Sequence, residues 1–248
     1  MGISFTGLGP FSGDPNGQMK ATYHTHGRSY GLVTSESDAQ ILDALKMLKA
    51  ASRYQLSELL GLSNHSLKKS IPRLSRLGFI DRIETGRTPP LYVLGPESRA
   101  LFKLKKEEWH ILKAFRIAAS NQLFVMLKCV WPDMEYTVEP HQGLTAQMRA
   151  GDIEFGIIAP RLWPGETTWA REMAELAPDN IRLLIVAGSR EYAEECARVI
   201  KTQRPIRFTW DGLLKENIIF YRKAGNKLVA AEDLTPEESG LTEKVYVI

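Results

Sequence analysis

The feature that most constrains this chain is residues 36–94, where three stretches of helical spacing are followed by two alternating segments. Ile41, Leu42, Leu45 and Leu48 recur every three or four residues, which places them on one apolar face of a helix. Ser37 and Asp38 stand just before that stripe, where a side-chain oxygen can accept from the free N–H groups of a first turn. A break at Ala51-Ser52-Arg53 separates this helix from a shorter one over 54–60, with Leu56, Leu59 and Leu60 apolar. Gly61 follows, and a helix that stops through a left-handed residue favours glycine there. Ser63 caps a third helix whose inner face is Leu67, Ile71, Leu74 and Leu77, and Gly78 stops it. Pro72 interrupts that pattern; lacking the N–H owed to the Lys68 carbonyl, it predicts a late start or a bend. Residues 79–84 alternate, 85–89 read Thr-Gly-Arg-Thr-Pro, and 91–94 read Leu-Tyr-Val-Leu, which together predict a β-hairpin.

Charge is concentrated in the same stretch. The 248 residues carry a formal +3, which by itself points to no partner, because clustering decides binding. Residues 38–94 hold nine Lys or Arg against five Asp or Glu, a net of +4, so the rest of the chain sums to −1. The third helix carries Lys68, Lys69, Arg73 and Arg76 with no acidic residue from 63 to 76.

Helix, short helix, turn, helix and hairpin is the order of a winged helix-turn-helix. Residues 55–63, Gln-Leu-Ser-Glu-Leu-Leu-Gly-Leu-Ser, resemble the first helix and turn of that family, and 74–80, Leu-Ser-Arg-Leu-Gly-Phe-Ile, resemble its exit into the wing. The resemblance implies a third helix that enters the major groove, its first residues facing base edges. Asn64, His65 and Ser66 take that place, with Asn64 able to pair with adenine. Lys68, Lys69 and Arg73 are then positioned for phosphates, with Arg76 on the same basic helix. Arg87 at the wing tip is expected in the neighbouring minor groove or on the backbone. A charged face on a winged helix that binds protein is the competing reading of these residues.

Residues 95–128 read as a connector followed by a helix, with Leu101, Leu104, Trp109, Leu112, Phe115 and Ile117 among lysines and Arg116. Beyond it, strand signals at 134–138, 153–159, 181–187 and 206–210 alternate with helical ones at 167–176, opened by Thr167 or Thr168, and 190–201. Apart from Arg182, the run at 181–187 is apolar, as expected of a strand buried on both faces. This alternation predicts a mixed α/β sheet domain with covering helices. The division expected is a flexible arm at 1–35, the winged helix at 36–95, a connector at 96–106, the α/β domain at 107–225 and a tail at 226–248. The tail holds candidate strands at 228–230 and 245–248.

Several chemistries find little purchase. Gly7-Leu8-Gly9-Pro10-Phe11-Ser12-Gly13 lacks the strand and helix that a dinucleotide loop requires. Tyr23-His24-Thr25-His26 has two histidines but no further ligands nearby. Ser189 follows a buried strand without a second glycine, so it reads as the cap of the next helix. The two cysteines, Cys129 and Cys196, form no Cys-x-x-Cys, so they read as core thiols of a reduced, cytoplasmic protein. Trp131, Trp163, Trp169 and Trp210 read as packing residues. No apolar run has the length of a membrane span, and the first residues carry no basic lead into an apolar stretch. One hydrolytic reading remains: Asp133, Glu135, Glu139, Asp152 and Glu154 are carboxylates that could hold Mg²⁺ for phosphodiester cleavage, with Asp152 and Glu154 sharing a strand face. No carboxylate-x-Lys accompanies them; the neighbouring segment reads Gly156-Ile157-Ile158-Ala159-Pro160-Arg161.

A second resemblance arises over residues 38–214. A winged helix, a helix led by Trp109-His110-Ile111-Leu112, a β-rich stretch, Pro160-Arg161 and then Gly165-Glu166-Thr167 resemble the replication-relaxation family of bacterial plasmids, phages and integrative elements. That family pairs a winged helix with a degenerate restriction-endonuclease-like domain. Its members carry an acidic residue just before an Asp-Arg pair; here Ile158, Pro160 and Arg161 stand in those places, which argues against nuclease activity. The combined expectation is a cytoplasmic, non-enzymatic, sequence-specific binder of double-stranded DNA from a mobile element. It would act as a homodimer in transcription regulation or in replication or transfer, with no cofactor, metal or membrane. A Mg²⁺-dependent nuclease and a protein-interaction module are the alternatives.

Overall fold

The computed structural model describes residues 35–84, 88–140, 143–215, 218–225 and 227–231. Residues 1–34 of the expected arm, with the His24/His26 pair, the wing tip with Arg87 and the candidate strand at 245–248 lie outside the described residues.

Helix α1 (Glu36–Leu48) is capped one turn earlier than predicted: Ser35 Oγ, not Ser37 or Asp38, accepts from the Asp38 N–H at 3.3 Å. Asp38 therefore falls inside the first turn, where it is buried. The break expected at 51–53 is a short strand, β1 (Ala50–Ser52). Its residues are too few and too small to give a β signal in sequence, and pairing with a distant segment makes it a strand. Ser52 ends β1 and opens α2 (Arg53–Leu60) through a capping box: its N–H donates to Gln55 Oε1 at 2.9 Å, while its Oγ accepts from the Gln55 N–H. Gly61 ends α2 at φ 62°, as the sequence predicts.

Helix α3 (Asn64–Arg76) begins on Ser63, whose Oγ accepts from the Ser66 N–H at 3.1 Å. Pro72 neither delays nor ends it; one helix runs through. Pro72 and Lys68 both lie on the exposed side, so a carbonyl that loses its helical donor there can turn to water. Strands β2 (Ile80–Ile83) and β3 (Leu91–Leu94) form the predicted hairpin, and β3 sits between β1 and β2 in a three-stranded antiparallel sheet.

The expected connector opens with a short helix, α4 (Pro96–Leu101). The long helix α5 (Ile111–Val130) follows, spanning about 30 Å at 1.5 Å per residue. Most of its residues are buried, because it has neighbours on both sides. Toward the N-terminal unit, Gln55 Nε2 donates to Ala118 O at 2.6 Å, and Asn121 Nδ2 donates to Leu48 O at 3.0 Å and to Ala50 O. Toward the C-terminal sheet, Asn121 Oδ1 accepts from Tyr136 Oη at 2.6 Å, and Phe124 stacks on the Tyr136 ring. One apolar core runs from Ile41 and Leu67 through Phe115 and Phe124 to Ile157 and Val186.

The C-terminal sheet has seven strands: β4 (Glu135–Val138), β5 (Ala146–Ala150), β6 (Ile153–Ile158), β7 (Arg182–Ala187), β8 (Ile206–Trp210), β9 (Tyr221–Ala224) and β10 (Lys227–Ala230). They lie in sheet order β10-β9-β8-β7-β6-β5-β4. The pairs β6–β7 and β7–β8 are parallel and the others antiparallel. The parallel pairs are joined through α6 (Glu166–Leu176) and α7 (Arg190–Val199), as parallel pairing requires a crossover. Strand β7 records the layering. Leu184 and Val186 join the α5 core, whereas Leu183, Ile185 and Ala187 join a second core with α6 and α7. The molecule is thus mixed α+β, with the C-terminal sheet between helical layers.

Two local expectations change. Helix α6 is opened by Gly165 at φ 84°, without a side-chain cap, so neither Thr167 nor Thr168 caps it. Asp152 lies in the turn before β6 and does not share a strand face with Glu154. The candidate strand at 228–230 is present as β10 and pairs with β9. Ser189 does cap α7, accepting from the Tyr192 N–H at 3.2 Å.

Candidate nucleic-acid interface and a buried charge network

Helix α3 divides cleanly into two faces. Leu67, Ser70, Ile71 and Leu74 are buried against α1, α2 and β2, which fixes the helix's rotation. The opposite face then presents Asn64, His65, Lys68, Lys69 and Arg76 to solvent. Positions 65, 68, 69, 72 and 76 follow helical spacing, so these side chains form one strip. Among the described residues, Lys68, Lys69 and Arg76 make no ion pair. Ser66 is half-buried and bound to Ser63 Oγ through its own Oγ at 3.0 Å, so it belongs to the helix cap.

Arg73 departs from the sequence reading. Its guanidinium binds the Asp38 carboxylate, and Nη2 donates to Ser35 Oγ at 3.1 Å. Asp38 is 1% exposed, so Arg73 neutralises a buried charge and clamps α3 to the start of α1. It is a positioning residue for the helix. Sequence periodicity could not separate it from Lys69, since its partner lies 35 positions away.

A second concentration of charge lies where β6, β7 and β8 end. Arg161, three residues past β6, is fully buried. Its Nη1 donates to both Asp211 oxygens at 3.0 and 2.8 Å, its Nε to Ala159 O at 3.2 Å, and its Nη2 to Val186 O. Asp211, one residue past β8, is held by its own N–H to Ala187 O at 3.1 Å. The Arg161 N–H donates to Glu166 Oε2 at 3.1 Å. Glu166 is also buried and receives Arg116 Nε at 3.0 Å and Arg116 Nη2. The Arg116 guanidinium lies 3.5 Å from the centre of the Trp169 ring. A buried charge survives only when paired and hydrogen-bonded; here both carboxylates and both guanidiniums are. The network ties the three parallel strand ends to α5 and α6.

Sequence reasoning singled out Pro160-Arg161 and Glu166 without assigning a contact between them. It missed Asp211 and Arg116. The available signal for Asp211 was a lone acid directly after a buried apolar strand.

The carboxylates considered for metal disperse. Asp133 and Glu135 are exposed, with Glu135 3.9 Å from Arg149. Glu154 accepts from Gln147 Nε2 at 3.3 Å and lies 3.8 Å from Arg149. Glu139 takes Lys49 at 3.0 Å and Lys113 at 3.1 Å. Among the described residues no three His, Cys, Asp or Glu side chains converge. Burial tends to raise the Glu139 pKa, but hydrogen bonds from Lys49 and Lys113 outweigh it and hold the carboxyl below its ordinary value. Burial likewise tends to lower the Lys113 pKa, and its bonds to Glu107 and Glu139 hold it above. Burial, reinforced by Glu195, pushes the Cys196 thiol up to about 12, so it stays protonated at neutral pH.

No protein-family model, curated protein or solved structure matches the chain. Among the described residues no helix is long and apolar enough to cross a membrane. The class defined at this point is a mixed α+β chain with an exposed basic helix face at one end.

Proposed function

We propose that this chain is a sequence-specific double-stranded DNA-binding protein of a bacterial mobile element, acting as a transcriptional regulator or as a replication or transfer accessory. The observation that carries the reading is the α3 face: Asn64 and His65 at the first turn, then Lys68, Lys69 and Arg76 along one exposed strip with no acid on the helix. The order α1, β1, α2, α3, β2, β3 with a three-stranded sheet supports reading residues 36–94 as a winged helix, which seats such a helix in the major groove. The α5–β4-β5-β6–α6–β7 order within a three-layer domain supports a restriction-endonuclease-like ancestry for the C-terminal half. Arg161 there is enclosed by structural contacts.

In this reading Asn64 and His65 meet base edges, while Lys68, Lys69 and Arg76 meet phosphates. Arg73 no longer counts among the phosphate contacts, because Asp38 holds it. One such module covers about 600–1,000 Å², so the chain gains affinity as a homodimer on inverted half-sites. Two free thiols, Cys196 in the core as expected and Cys129 exposed instead, suit a reducing, cytoplasmic setting.

Selection of bound sequences from a random duplex pool, followed by anisotropy titration, tests this. An enriched motif whose binding is lost in K68E/K69E, and whose preference is relaxed in Asn64→Ala, is expected. Failure to enrich any motif, with duplex binding indifferent to K68E/K69E, would overturn it.

A further inference from the structure

A groove of about 720 Å³ opens where the loop after α7 meets the beginning of β8 and strand β9. Five cations line it: Lys201, Arg204, Arg207, Arg222 and Lys223. No described residue lining it is acidic. They come from two stretches of chain, residues 200–208 and 222–225, and folding brings the two stretches together. Arg204 is steered from outside the groove: its Nη1 donates to Ala174 O at 3.2 Å and its Nη2 to the exposed Asp179 at 2.5 Å. Arg207 Nη1 donates to Ile206 O at 3.2 Å. Lys201, Arg222 and Lys223 are exposed and make no ion pair among the described residues.

Like charges brought together on neighbouring strands repel and cost stability, and burying part of their solvent strengthens that repulsion. Lys201, Arg222 and Lys223 carry no internal counter-ion among the described residues, so the groove is favourable when an anion of matching spacing fills it. The aromatic side chain in the described lining, Phe208, is buried, so it presents no open ring on which a base could stack. It therefore suits the repeating charge of a sugar–phosphate backbone and reads no sequence.

We propose that this groove binds the phosphodiester backbone of nucleic acid, as a second contact surface distinct from α3. The topology separates the two. Strand β4, at one edge of the seven-stranded sheet, contacts α1 of the N-terminal unit, and β9 lies five strands away toward the other edge. At about 4.8 Å per strand that is roughly 24 Å. The groove contact stands whether or not α3 reads DNA.

The test uses the full chain and a fluorescent 30-base-pair duplex of arbitrary sequence, titrated by anisotropy at several salt concentrations. R222E/K223E is expected to weaken binding about tenfold or more. It should lower the slope of log affinity against log salt by about 2, since each phosphate contact contributes about 0.9. The neutral pair R222Q/K223Q should fall between, with an unchanged thermal midpoint showing that the edge strand is intact. In a K68E/K69E background the residual, non-specific binding should persist, then disappear when R222E/K223E is added; that arm separates failure of the groove from failure of α3. The chain's own residues 232–248 hold five acids and one lysine, and the test separates them from duplex as occupants. If they fill the groove, R222E/K223E leaves duplex affinity unchanged or raised, and that result overturns the proposal. Equal retention of polyglutamate and duplex by the wild-type groove also overturns it.

Discussion

On α3, Lys68, Lys69 and Arg76 stand in solvent along one strip, whereas in the C-terminal half Arg161 is fully enclosed and bound through its whole guanidinium. The first group is cheap to hold and remains available to an outside anion. The second meets a large desolvation penalty with an internal carboxylate and two carbonyls, and nothing remains to offer a ligand. Arg73 lies between the extremes: about a third of its side chain is exposed, yet it serves the buried Asp38. Position in sequence marks all of these as basic. What each does follows from what surrounds it.

The largest effect should come from the enclosed end of that range. Asp211→Leu leaves Arg161 charged and buried without its counter-ion, and should cost about 3–5 kcal/mol. Chemical denaturation would register it, and R161M/D211L should recover most of the loss. If Asp211→Leu alone is harmless, Arg161 is not spending its charge on the fold and the contrast collapses.

At the exposed end, K68E/K69E should reduce duplex affinity by one to two orders of magnitude while stability stays within about 0.5 kcal/mol of wild type. A variant that unfolds instead would place these lysines among structural residues. Arg73→Met sharpens the middle of the range. It should lower stability by about 1–2 kcal/mol, a figure reduced for the exposure of its guanidinium, and leave the salt slope of duplex binding unchanged.

The smallest effect concerns the joint between the two halves, where Lys49 and Lys113 meet Glu139. The Glu139 pKa is lowered on folding, so its contribution is full above its unfolded value and is lost as pH falls through the folded one. The Lys113 pKa is raised, so its contribution is full below its unfolded value and is lost as pH rises through the folded one. Glu139→Gln should therefore cost less than about 1 kcal/mol at neutral pH and flatten both limbs of the stability profile. Thermal melts across pH would reveal the difference.

Much of the fold was legible where contacts are local. Ser63, Gly61 and Ser189 mark element ends because a cap or a left-handed turn needs those residue types at that place. The apolar run of β7 announces burial on both faces. Strand β5 was not legible. Its inward residues are Ala146, Met148 and Ala150, and the small ones give little contrast with Gln147 and Arg149. Nor was β1, which is a strand only because β3 lies beside it.

The candidate interface follows the same division. Asn64, His65, Lys68, Lys69 and Arg76 could be placed on one face from spacing, because a helix converts sequence separation into direction. The groove at β8 and β9 could not, since Arg222 and Lys223 reach the stretch that holds Lys201 and Arg207 only through the pairing of β9 with β8.

By itself, the sequence determined the helix–turn–helix–hairpin order at 36–94, the basic face of α3 and the alternation of strand and helix beyond it. These rest on periodicity and caps within one stretch of chain. Only the tertiary structure decided that Arg73 answers to Asp38, that Arg161 meets Asp211 50 positions away, and that α5 joins both halves into one core. A charge finds its partner through space, and the energy of that meeting depends on burial, which no single segment of chain specifies.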